Sequence, residues 1–312
     1  MPTRPCYRHR MRILFVTSNR IGDAVLSTGL LDHLLRSYPD ARFTIACGPV
    51  AEGLFLRMPR RDRTIVMEKQ SHGRHWLPLW TATVGTVWDL VVDIRASAIS
   101  YLVPTRSRAV MRKSTGHKTV QLARLLRLPD PPLPVAWTSP EDQALAERLL
   151  PAGTPIVALG PTANWTGKVW PPDRFVALFQ ALAQGPLPGA RAAIFAGPGA
   201  QEADLAAPVL AALPDAIDLL GRLELPQVAA CLARCTLFVG NDSGLMHLAA
   251  AAGTRTLGLF GPTPAAQYGP SGPRAAAVLS ASDRMQDLSV EAAFAAAAAL
   301  IGASSRSGSA EP

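Results

Sequence analysis

The sequence predicts an α/β protein built from two Rossmann-like, doubly wound domains that face each other across a central cleft. Short β-branched runs alternate with helical apolar patterns along the chain. A Pro-rich break at residues 129–134 (PDPPLP) interrupts that alternation near the middle. The 312 residues suffice for two domains of about 150 residues each. Repeated βα units of this kind predict parallel sheets covered by helices on both faces.

The predicted elements follow in chain order. Residues 12–17 (RILFVT) predict a buried strand, and apolar residues at helical spacing predict a helix over about 23–37. Further first-half strands are predicted at 43–47, 64–67 and 90–94. In the second half, strands are predicted at 155–159, 192–196, 217–220, 237–239 and 256–260, and the strand at 256–260 is expected to be the last one of the chain. Helices are predicted at 171–183, from Gln201, at 226–233 and at 245–252.

These elements predict an N-terminal domain over residues 11–150 and a C-terminal domain over 151–303, with disordered segments at 1–10 and 304–312. No uncharged apolar run reaches the roughly 18 residues of a membrane helix, and the Ala-rich stretch 292–303 predicts a surface helix. Residues 1–10 lack the apolar segment of a secretory signal. We therefore expect a cytoplasmic protein whose contact with a membrane surface, if it makes one, is peripheral.

Positive charge is concentrated in the first half of the chain. Residues 1–150 contain 22 Lys and Arg against 12 Asp and Glu, a net charge of +10, whereas residues 151–312 contain 9 against 11, a net charge of −2. A basic half suits an anionic partner such as nucleic acid, a membrane surface or a phosphorylated glycolipid. It contains no recognisable nucleic-acid-binding motif, so we do not expect a nucleic-acid partner.

The cysteines and histidines do not have the spacing of a metal site. Cys231 and Cys235 lie four residues apart in an apolar, helix-like stretch, which predicts buried thiols. Cys6 and Cys47 add no zinc or redox pattern. His72 and His75 have no carboxylate pattern nearby, so we expect them in a surface loop and predict no metal ligand there.

The densest candidate site follows the predicted strand at 237–239. Asn241, Asp242 and Ser243 are good helix N-cap residues, and Gly244 leaves the backbone open to close approach. The free amides and the dipole of a helix N-terminus bind anions, and diphosphate is the expected ligand. Ordinary capping of a single βα unit is the alternative interpretation.

Three neighbouring side chains extend this candidate site. Asp242 would repel a phosphate, so it is expected either to cap the helix or to bind a sugar hydroxyl. His247 lies one turn into the helix, on a face that could contact a ligand. The loop at 261–264 (GPTP), which contains Thr263, is expected to close the same edge of the sheet.

A second candidate segment is the loop at 160–175 (GPTANWTGKVWPPDRF). Lys168 could neutralise a diphosphate leaving group as its charge develops, or it could be a solvated lysine. Thr162 and Thr166 could donate hydroxyl hydrogen bonds to phosphate, and they could equally be turn residues. Trp170 is expected to pack in the core and not to stack on a base.

In the first half, Gly22 and Asp23 lie at the turn from the first strand into its helix. A carboxylate at the edge of the cleft can accept a proton from an attacking hydroxyl. The alternative is an aspartate that only caps the helix. The turn contains one glycine and not a Gly-x-Gly-x-x-Gly pattern, so a nicotinamide site is disfavoured.

Taken together, these segments resemble the family 9 glycosyltransferases, the ADP-heptose–lipopolysaccharide heptosyltransferase family. The matching segments are residues 11–35 with Gly22-Asp23, the Lys168-x-Trp170-Pro171 segment, and residues 240–247 (GNDSGLMH) followed by 260–263 (FGPT). The resemblance covers roughly residues 11–300.

This resemblance implies a GT-B fold and an inverting mechanism without a metal or other cofactor. It implies that Asp23 is the general base and that Lys168 assists catalysis by holding the diphosphate of an ADP-sugar donor. It also places a ribose-binding residue at Gln201 or Glu202, and both remain open. The donor-binding residues expected are Thr162, Lys168, Glu202, Asp242, Ser243, Gly244, His247 and Thr263.

The acceptor implied by the resemblance is a lipopolysaccharide core or a related anionic surface glycolipid. Family members that add the first heptose often have His three residues after the catalytic Asp, where this chain has Leu26. They also tend to have a Thr-Thr pair before the lysine, where this chain has Thr162-Ala163-Asn164. The sequence is therefore closer to the second-heptose type or to broader members of the family.

Two other classes of protein were weighed. A non-catalytic protein that binds a nucleotide or an anionic glycan would not need the combination of Asp23, Lys168 and Asp242. A sugar-nucleotide epimerase would need a Tyr-x-x-x-Lys pair, and no tyrosine in the chain has a lysine four residues later. The glycosyltransferase interpretation is therefore preferred.

Overall fold

The first half of the chain forms a five-stranded parallel sheet. The computed structural model describes residues 10–71 and 74–303, so the segments predicted to be disordered lie outside it apart from Arg10. The strands, in the spatial order β3-β2-β1-β4-β5, are β1 (Arg12–Val16), β2 (Arg42–Cys47), β3 (Arg61–Val66), β4 (Trp88–Asp93) and β5 (Thr105–Val110). The helices are α1 (Ile21–Ser37), α2 (Trp76–Thr83), α3 (Ile99–Leu102) and α4 (Lys118–Leu125), with a 3-10 helix at Pro49–Phe55.

Both faces of this sheet are covered, which explains why its central strands are continuous apolar runs. On one face, Leu14 of β1 packs in a cluster with Leu79 of α2 and Ile99 of α3. On the other face, Phe15 packs in a cluster with Leu30 of α1. Successive residues of β1 therefore serve opposite cores.

The second half forms a six-stranded parallel sheet. In the spatial order β11-β10-β9-β6-β7-β8, its strands are β6 (Ile156–Gly160), β7 (Arg191–Ile194), β8 (Ile217–Asp218), β9 (Leu237–Asn241), β10 (Thr256–Phe260) and β11 (Ala275–Leu279). Its helices are α5 (Pro140–Leu149), α6 (Pro172–Gln184), α7 (Ala200–Ala212), α8 (Leu225–Arg234), α9 (Gly244–Ala251), α10 (Ala265–Tyr268) and α11 (Val290–Gly302), with 3-10 helices at Thr166–Lys168 and Met285–Asp287. One face packs on α6, α7 and α11, and the other on α8 and α9.

The predicted two-sheet architecture is confirmed, with two differences at sheet edges. The strand at 256–260 is not the last one, because β11 pairs with it in parallel register. The segment AAAVL of β11 has a single β-branched residue and follows a stretch rich in Gly and Pro, so its pattern is weak. The edge strand β5 (TRSRAV) was not predicted, because its exposed, charged residues hide the alternation expected of a strand.

The Pro-rich segment predicted as a linker is packed against α1. The backbone amide of Val135 donates to the Thr28 hydroxyl at 2.9 Å. After this segment, α5 begins with a capping box formed by Ser139 and Asp142. It then packs on α8 of the second sheet, and Arg57 of the first half donates to Asp142 at 3.0 Å. In these contacts α5 packs with the helices of the second sheet. The domain boundary between residues 150 and 151 stays a prediction.

Three smaller predictions concern single residues. The thiols of Cys231 and Cys235 are buried and free, as predicted, and burial raises the pKa of Cys231 to about 11. Cys47, for which no burial was predicted, is also buried and free. The surface position predicted for His75 is wrong, because its ring packs beside Trp76 at 4.9 Å and is buried. Cys6 and His72 lie outside the described residues.

The Ala-rich helix predicted near the C-terminus is α11, which buries Ala293 and Ala297 against the second sheet and leaves its other face towards solvent. Across residues 10–71 and 74–303, no helix combines the length and the apolar character required to span a bilayer.

Gly29→Ala should destabilise the protein. A Cβ at this position would lie 2.5 Å from the carbonyl oxygen of Leu133 and 2.6 Å from that of Pro132. Overpacking of this kind costs about 1–3 kcal/mol, more than the roughly 0.5–1 kcal/mol by which Ala is favoured over Gly in a helix. Urea unfolding followed by circular dichroism measures the difference. Gly302→Ala is the control, because no atom lies within 4 Å of its added Cβ; equal stability of Gly29→Ala and the wild type would contradict the predicted packing conflict.

Candidate active site

Each sheet has one topological switch point, where the strand order reverses. In the first sheet it lies between β1 and β4, and in the second between β9 and β6. Ligands of open α/β sheets bind outside the carboxyl ends of the strands at such points. The predicted site residues Asp23, Lys168 and Asp242 lie in the segments that leave β1, β6 and β9, respectively, at their carboxyl ends.

The two switch points face each other, because the helices that leave β1 and β9 touch at their N-termini. A Cβ added to Gly22 of α1 would lie 2.9 Å from Cδ2 of His247, and one added to Gly244 of α9 would lie 2.8 Å from Cβ of Ile21. Glycine at both positions permits this approach. The predicted residues of the two halves are therefore brought into one cleft.

On the second-sheet side, Asp242 is the centre of a polar cluster. Its Oδ2 accepts from Lys168 Nζ at 2.7 Å and from the Thr263 hydroxyl at 2.8 Å. The Asp242 side chain is 8% exposed, so the ammonium group offsets the cost of burying the carboxylate. Asp242 thus joins the loops that follow β6, β9 and β10. Its predicted alternative role as a helix cap is wrong, because Ser243 occupies the N-cap position.

The neighbouring Asn241 fixes the lysine loop in place. Its Oδ1 accepts from the backbone amide of Trp170 at 3.0 Å. Trp170 is fully buried and donates its indole N–H to the carbonyl of Leu288 at 2.9 Å, which confirms the predicted packing role. Lys168 is therefore held by the backbone that follows it as well as by Asp242.

The N-terminus of α9 lacks a side-chain cap. Ser243 is the N-cap residue, but its side chain makes no capping hydrogen bond. Its hydroxyl oxygen and His247 Nδ1 are buried, and neither has a hydrogen-bond partner within the described part of the chain. The helix start therefore offers backbone amides, its positive dipole end and two polar side chains to a ligand, which is the chemistry of an anion site.

His247 is neutral at pH 7. Burial lowers the pKa of its imidazole to about 4, and the nearby Asp242 carboxylate acts in the opposite direction. The positive charge of nearby Lys168 lowers the pKa further, because it disfavours a second cation, and His117 acts in the same direction. A neutral imidazole can donate from one ring nitrogen and accept at the other.

Asp23 lies in the first turn of α1, directly after the contact between Gly22 and His247. It is half-buried, and its carboxylate makes no hydrogen bond or ion pair with another residue in 10–71 or 74–303. Its neighbour Arg20 occupies the N-cap position without a capping hydrogen bond. The Asp23 carboxylate is thus not consumed by capping the helix, and it lies at the edge of the cleft.

The remaining predicted donor residues follow β6 and β7. Thr162 is buried behind the lysine loop, where its carbonyl accepts from Asn241 Nδ2 at 3.5 Å. Glu202 lies in the first turn of α7 and accepts the Gly197 amide at 3.2 Å. Gln201 is exposed beside it. Glu202 therefore lies at the carboxyl end of β7, next to the other donor-side loops.

Arg95, which no sequence motif singled out, lies at the switch point of the first sheet after β4. Its guanidinium donates to Asn19 Oδ1 at 3.0 Å and lies 4.8 Å from the ring centroid of Trp76. The next residue, Ala96, has a left-handed φ of 53°, held because the Asp93 carboxylate accepts the amides on either side of it. The segment LVVDIRAS predicts the strand β4 from its apolar run. Arg95 comes to lie beside Asn19 only because β4 pairs with β1 in the folded sheet.

A groove of about 770 Å³ lies in the first domain between β5, α4 and the end of α1. Its cationic lining includes Arg112, Arg124 and Arg127, and no described acidic residue lines it. The groove begins beside the carboxyl end of β5. Near that end, His117 donates to the Gly269 carbonyl of the other domain at 2.9 Å.

Two Rossmann-like domains that meet at their carboxyl edges, with an anion site on one side and a carboxylate on the other, define a GT-B glycosyltransferase. Solved structures support the fold. The chain matches a glycosyl transferase of family 9 from Veillonella parvula with a TM-score of 0.80 and 21% identity, over 94% of this chain and 97% of that one. It matches the ADP-heptose LPS heptosyltransferase II of E. coli with a TM-score of 0.75 and 22% identity, over 95% and 100%.

The chain belongs to glycosyltransferase family 9 (heptosyltransferase), whose family model matches residues 90–297. Among curated relatives, lipooligosaccharide heptosyltransferase 2 of Haemophilus influenzae is 25% identical over 303 residues, which cover 83% of this chain and 86% of the relative. The family resemblance, the GT-B fold and the glycosyltransferase class predicted from the sequence are therefore confirmed.

We expect the free energy of unfolding to fall as the pH drops from about 6.5 to about 4. In that window His247 of the unfolded chain takes up a proton at its ordinary pKa of 6.5, whereas the folded protein keeps it neutral. The contribution of neutral His247 to the free energy of unfolding is fully present above pH 6.5. At about 1.4 kcal/mol per pKa unit, up to roughly 3 kcal/mol of that free energy is lost by pH 4.

Urea unfolding between pH 4 and 8 tests this expectation. His247→Asn should flatten the pH dependence relative to the wild type. His33→Asn, a change at a more exposed histidine on α1, should leave it unchanged. A His247→Asn curve parallel to that of the wild type would contradict the low pKa.

Proposed function

We propose that this chain is an inverting glycosyltransferase that transfers heptose, or a similar sugar, from an ADP-sugar donor to a lipopolysaccharide core or a related surface glycolipid. The observation that carries the proposal is the contact between α1 and α9. It brings the free Asp23 carboxylate opposite the uncapped, lysine-bearing anion site. The names of the E. coli and Haemophilus proteins support the sugar and the acceptor class.

The donor would bind with its diphosphate at the N-terminus of α9. Lys168 has three N–H donors, so it can keep its bond to Asp242 and still reach a phosphate oxygen. Asp242 would therefore position the ammonium group without neutralising the site completely. The unpartnered hydroxyl of Ser243 and the imidazole of His247 would supply further hydrogen bonds to the diphosphate or the sugar.

The nucleoside would extend from this site towards β7. Glu202 is our candidate for the ribose hydroxyls, in preference to Gln201, because its carboxylate already folds back over the loop after that strand. Thr162, Gly244 and Thr263 would complete the donor pocket from the adjacent loops. These roles remain proposals for this chain.

The reaction needs one base and a stabilised leaving group. Asp23 would accept the proton of the acceptor hydroxyl as its oxygen attacks the anomeric carbon. The bond between that carbon and the diphosphate oxygen would break, and its electron pair would leave with ADP. Attack opposite the leaving group inverts the configuration. Lys168 and the dipole of α9 would stabilise the charge that develops on the diphosphate, which is the task that a metal ion performs in other transferases. We therefore propose catalysis without a metal.

The acceptor would approach along the first domain. Residues 1–150 have a net charge of +10, and the groove of the first domain is lined by arginines. Both features favour a phosphorylated acceptor. Arg95 and Asn19 lie at the switch point beside α1, where an acceptor sugar would meet Asp23. We place the reaction in the cytoplasm at the inner face of the inner membrane, where a nucleotide donor and a membrane-held acceptor can meet.

Lys168→Ala should weaken ADP binding by at least tenfold, because a charge-assisted contact to the diphosphate is lost. Isothermal titration of ADP, GDP, UDP, CMP and NAD without metal measures both affinity and selectivity. Lys113→Ala, which removes an exposed lysine elsewhere, is the matched control. Preference for UDP or GDP would remove the ADP-sugar from the proposal, and binding of NAD alone would contradict the proposed function.

Asp23→Asn should abolish transfer to the acceptor while ADP affinity stays within about twofold of the wild type. The amide keeps the shape of the carboxylate but cannot accept the hydroxyl proton. Asp32→Asn is the control, since Asp32 lies on the same helix and pairs with Arg36. Turnover should be assayed in excess chelator. Near-normal turnover of Asp23→Asn would contradict its role as base, and a loss restored by added metal would contradict metal independence.

A further inference from the structure

The face of the first domain formed by α2 and α3 carries a cluster of exposed apolar side chains. Leu77 is 62% exposed, Tyr101 61% and Leu102 59%. Trp80, half-buried between them, donates its indole N–H to the carbonyl of Leu102 at 3.2 Å and so joins the two helices. We call these four residues the aromatic face. Exposed apolar residues that cluster in this way mark a binding surface, whereas isolated ones do not.

Arginines border the aromatic face. Arg108 of the edge strand β5 lies 5.4 Å from the ring centroid of Tyr101. Arg106 is on the same side of that strand and is 68% exposed. Arg63 donates to the Ala82 carbonyl at the end of α2, and Arg74 lies just before that helix. The face therefore combines exposed apolar groups with positive charge.

The acidic residues of β4 cancel only part of this charge. Asp89 is mostly buried and already pairs with Arg106 at 3.4 Å, while it also accepts the amide of Arg12. Asp93 is fully buried and is occupied by the amides of Arg95 and Ser97. The border of the face is thus cationic towards solvent.

We propose that the aromatic face docks the enzyme on an anionic lipid bilayer. Tryptophan and tyrosine favour the boundary between hydrocarbon and water, and arginines beside them attract acidic headgroups. The eight residues of α2 (WLPLWTAT) contain no charge, so the positive charge of this surface comes from the arginines that border the helix. A protein partner would also tolerate this composition, but the position of the face relative to the cleft favours the bilayer.

That position follows from Trp76, the first residue of α2. Its ring stacks with Arg95, and Arg95 holds Asn19 at the end of β1, just before the helix that carries Asp23. The aromatic face therefore runs directly to the acceptor side of the cleft. A glycolipid held in the bilayer would meet the cleft without leaving the membrane surface. This consequence, unlike the docking itself, rests on the proposed function.

Vesicle flotation of the full chain tests the docking. We expect the protein to bind phosphatidylcholine vesicles that contain roughly 30% phosphatidylglycerol, a composition that approximates the charge of an anionic leaflet. Binding to pure phosphatidylcholine vesicles should be weak, and binding to the anionic vesicles should be lost as salt is raised. Arg106→Gln with Arg108→Gln should lower the partition coefficient by about fivefold for each arginine. Leu77→Ser with Leu102→Ser should lower it about tenfold.

Matched controls lie on the second domain. Leu279→Ser changes a 60% exposed leucine, and Arg284→Gln changes an exposed arginine that faces an aspartate at 3.9 Å. Both should bind vesicles like the wild type. All variants should melt and bind ADP normally, so a failure of docking is separable from a failure of the proposed function.

Three results would overturn the proposal. The first is equal binding to both vesicle types, or binding to neither. The second is wild-type binding by the aromatic-face variants. The third is binding that appears only when lipopolysaccharide is added to the vesicles, since the face would then recognise the acceptor and not the bilayer. If the Leu77→Ser, Leu102→Ser variant instead loses self-association in sedimentation, the face is a contact between copies of the chain.

Discussion

The contact between the N-termini of α1 and α9 is the constraint on which the site depends. Gly22 lies against the His247 ring, and Gly244 lies against the Ile21 side chain, so each helix start packs closely on a side chain of the other. Both helices therefore direct their positive ends into the same cleft, one from each sheet. This arrangement brings an uncapped helix start and a carboxylate from two Rossmann-like domains to one cleft, which is the candidate active site.

Charge in the second domain is arranged around a single buried carboxylate. Asp242 would oppose a diphosphate if it stood alone, but its charge is paired with Lys168, and its Oδ2 also accepts from Thr263. The result is a cluster that holds three loops together and leaves a cation and a helix start available for the donor. His247 stays neutral beside this cluster because it is buried, which avoids a second competing charge. The residues that hold these loops together are thus the same ones that we propose bind the donor.

The first domain divides its surface between two tasks. The carboxyl edge of its sheet supplies Asp23, Asn19 and Arg95 to the cleft, while α2 and α3 present apolar and cationic groups on the adjoining face. Arg95 links the two through its contact with Trp76. Part of the positive charge of this half of the chain therefore lies beside α2 and α3. The sequence shows how many charges this half carries, but not where on the surface they lie.

The amino-acid sequence by itself determined the alternation of strands and helices, the two parallel sheets and the motifs around Asp23, Lys168 and Asp242, because apolar periodicity and capping chemistry are local. The edge strands β5 and β11 escaped prediction, since edges lack the buried pattern of central strands. Only the tertiary structure decided that Asp242 pairs with Lys168, that His75 is buried and that Arg95 belongs to the cleft. Those outcomes depend on contacts between residues far apart in the chain, and strand order, not local pattern, brings such residues together.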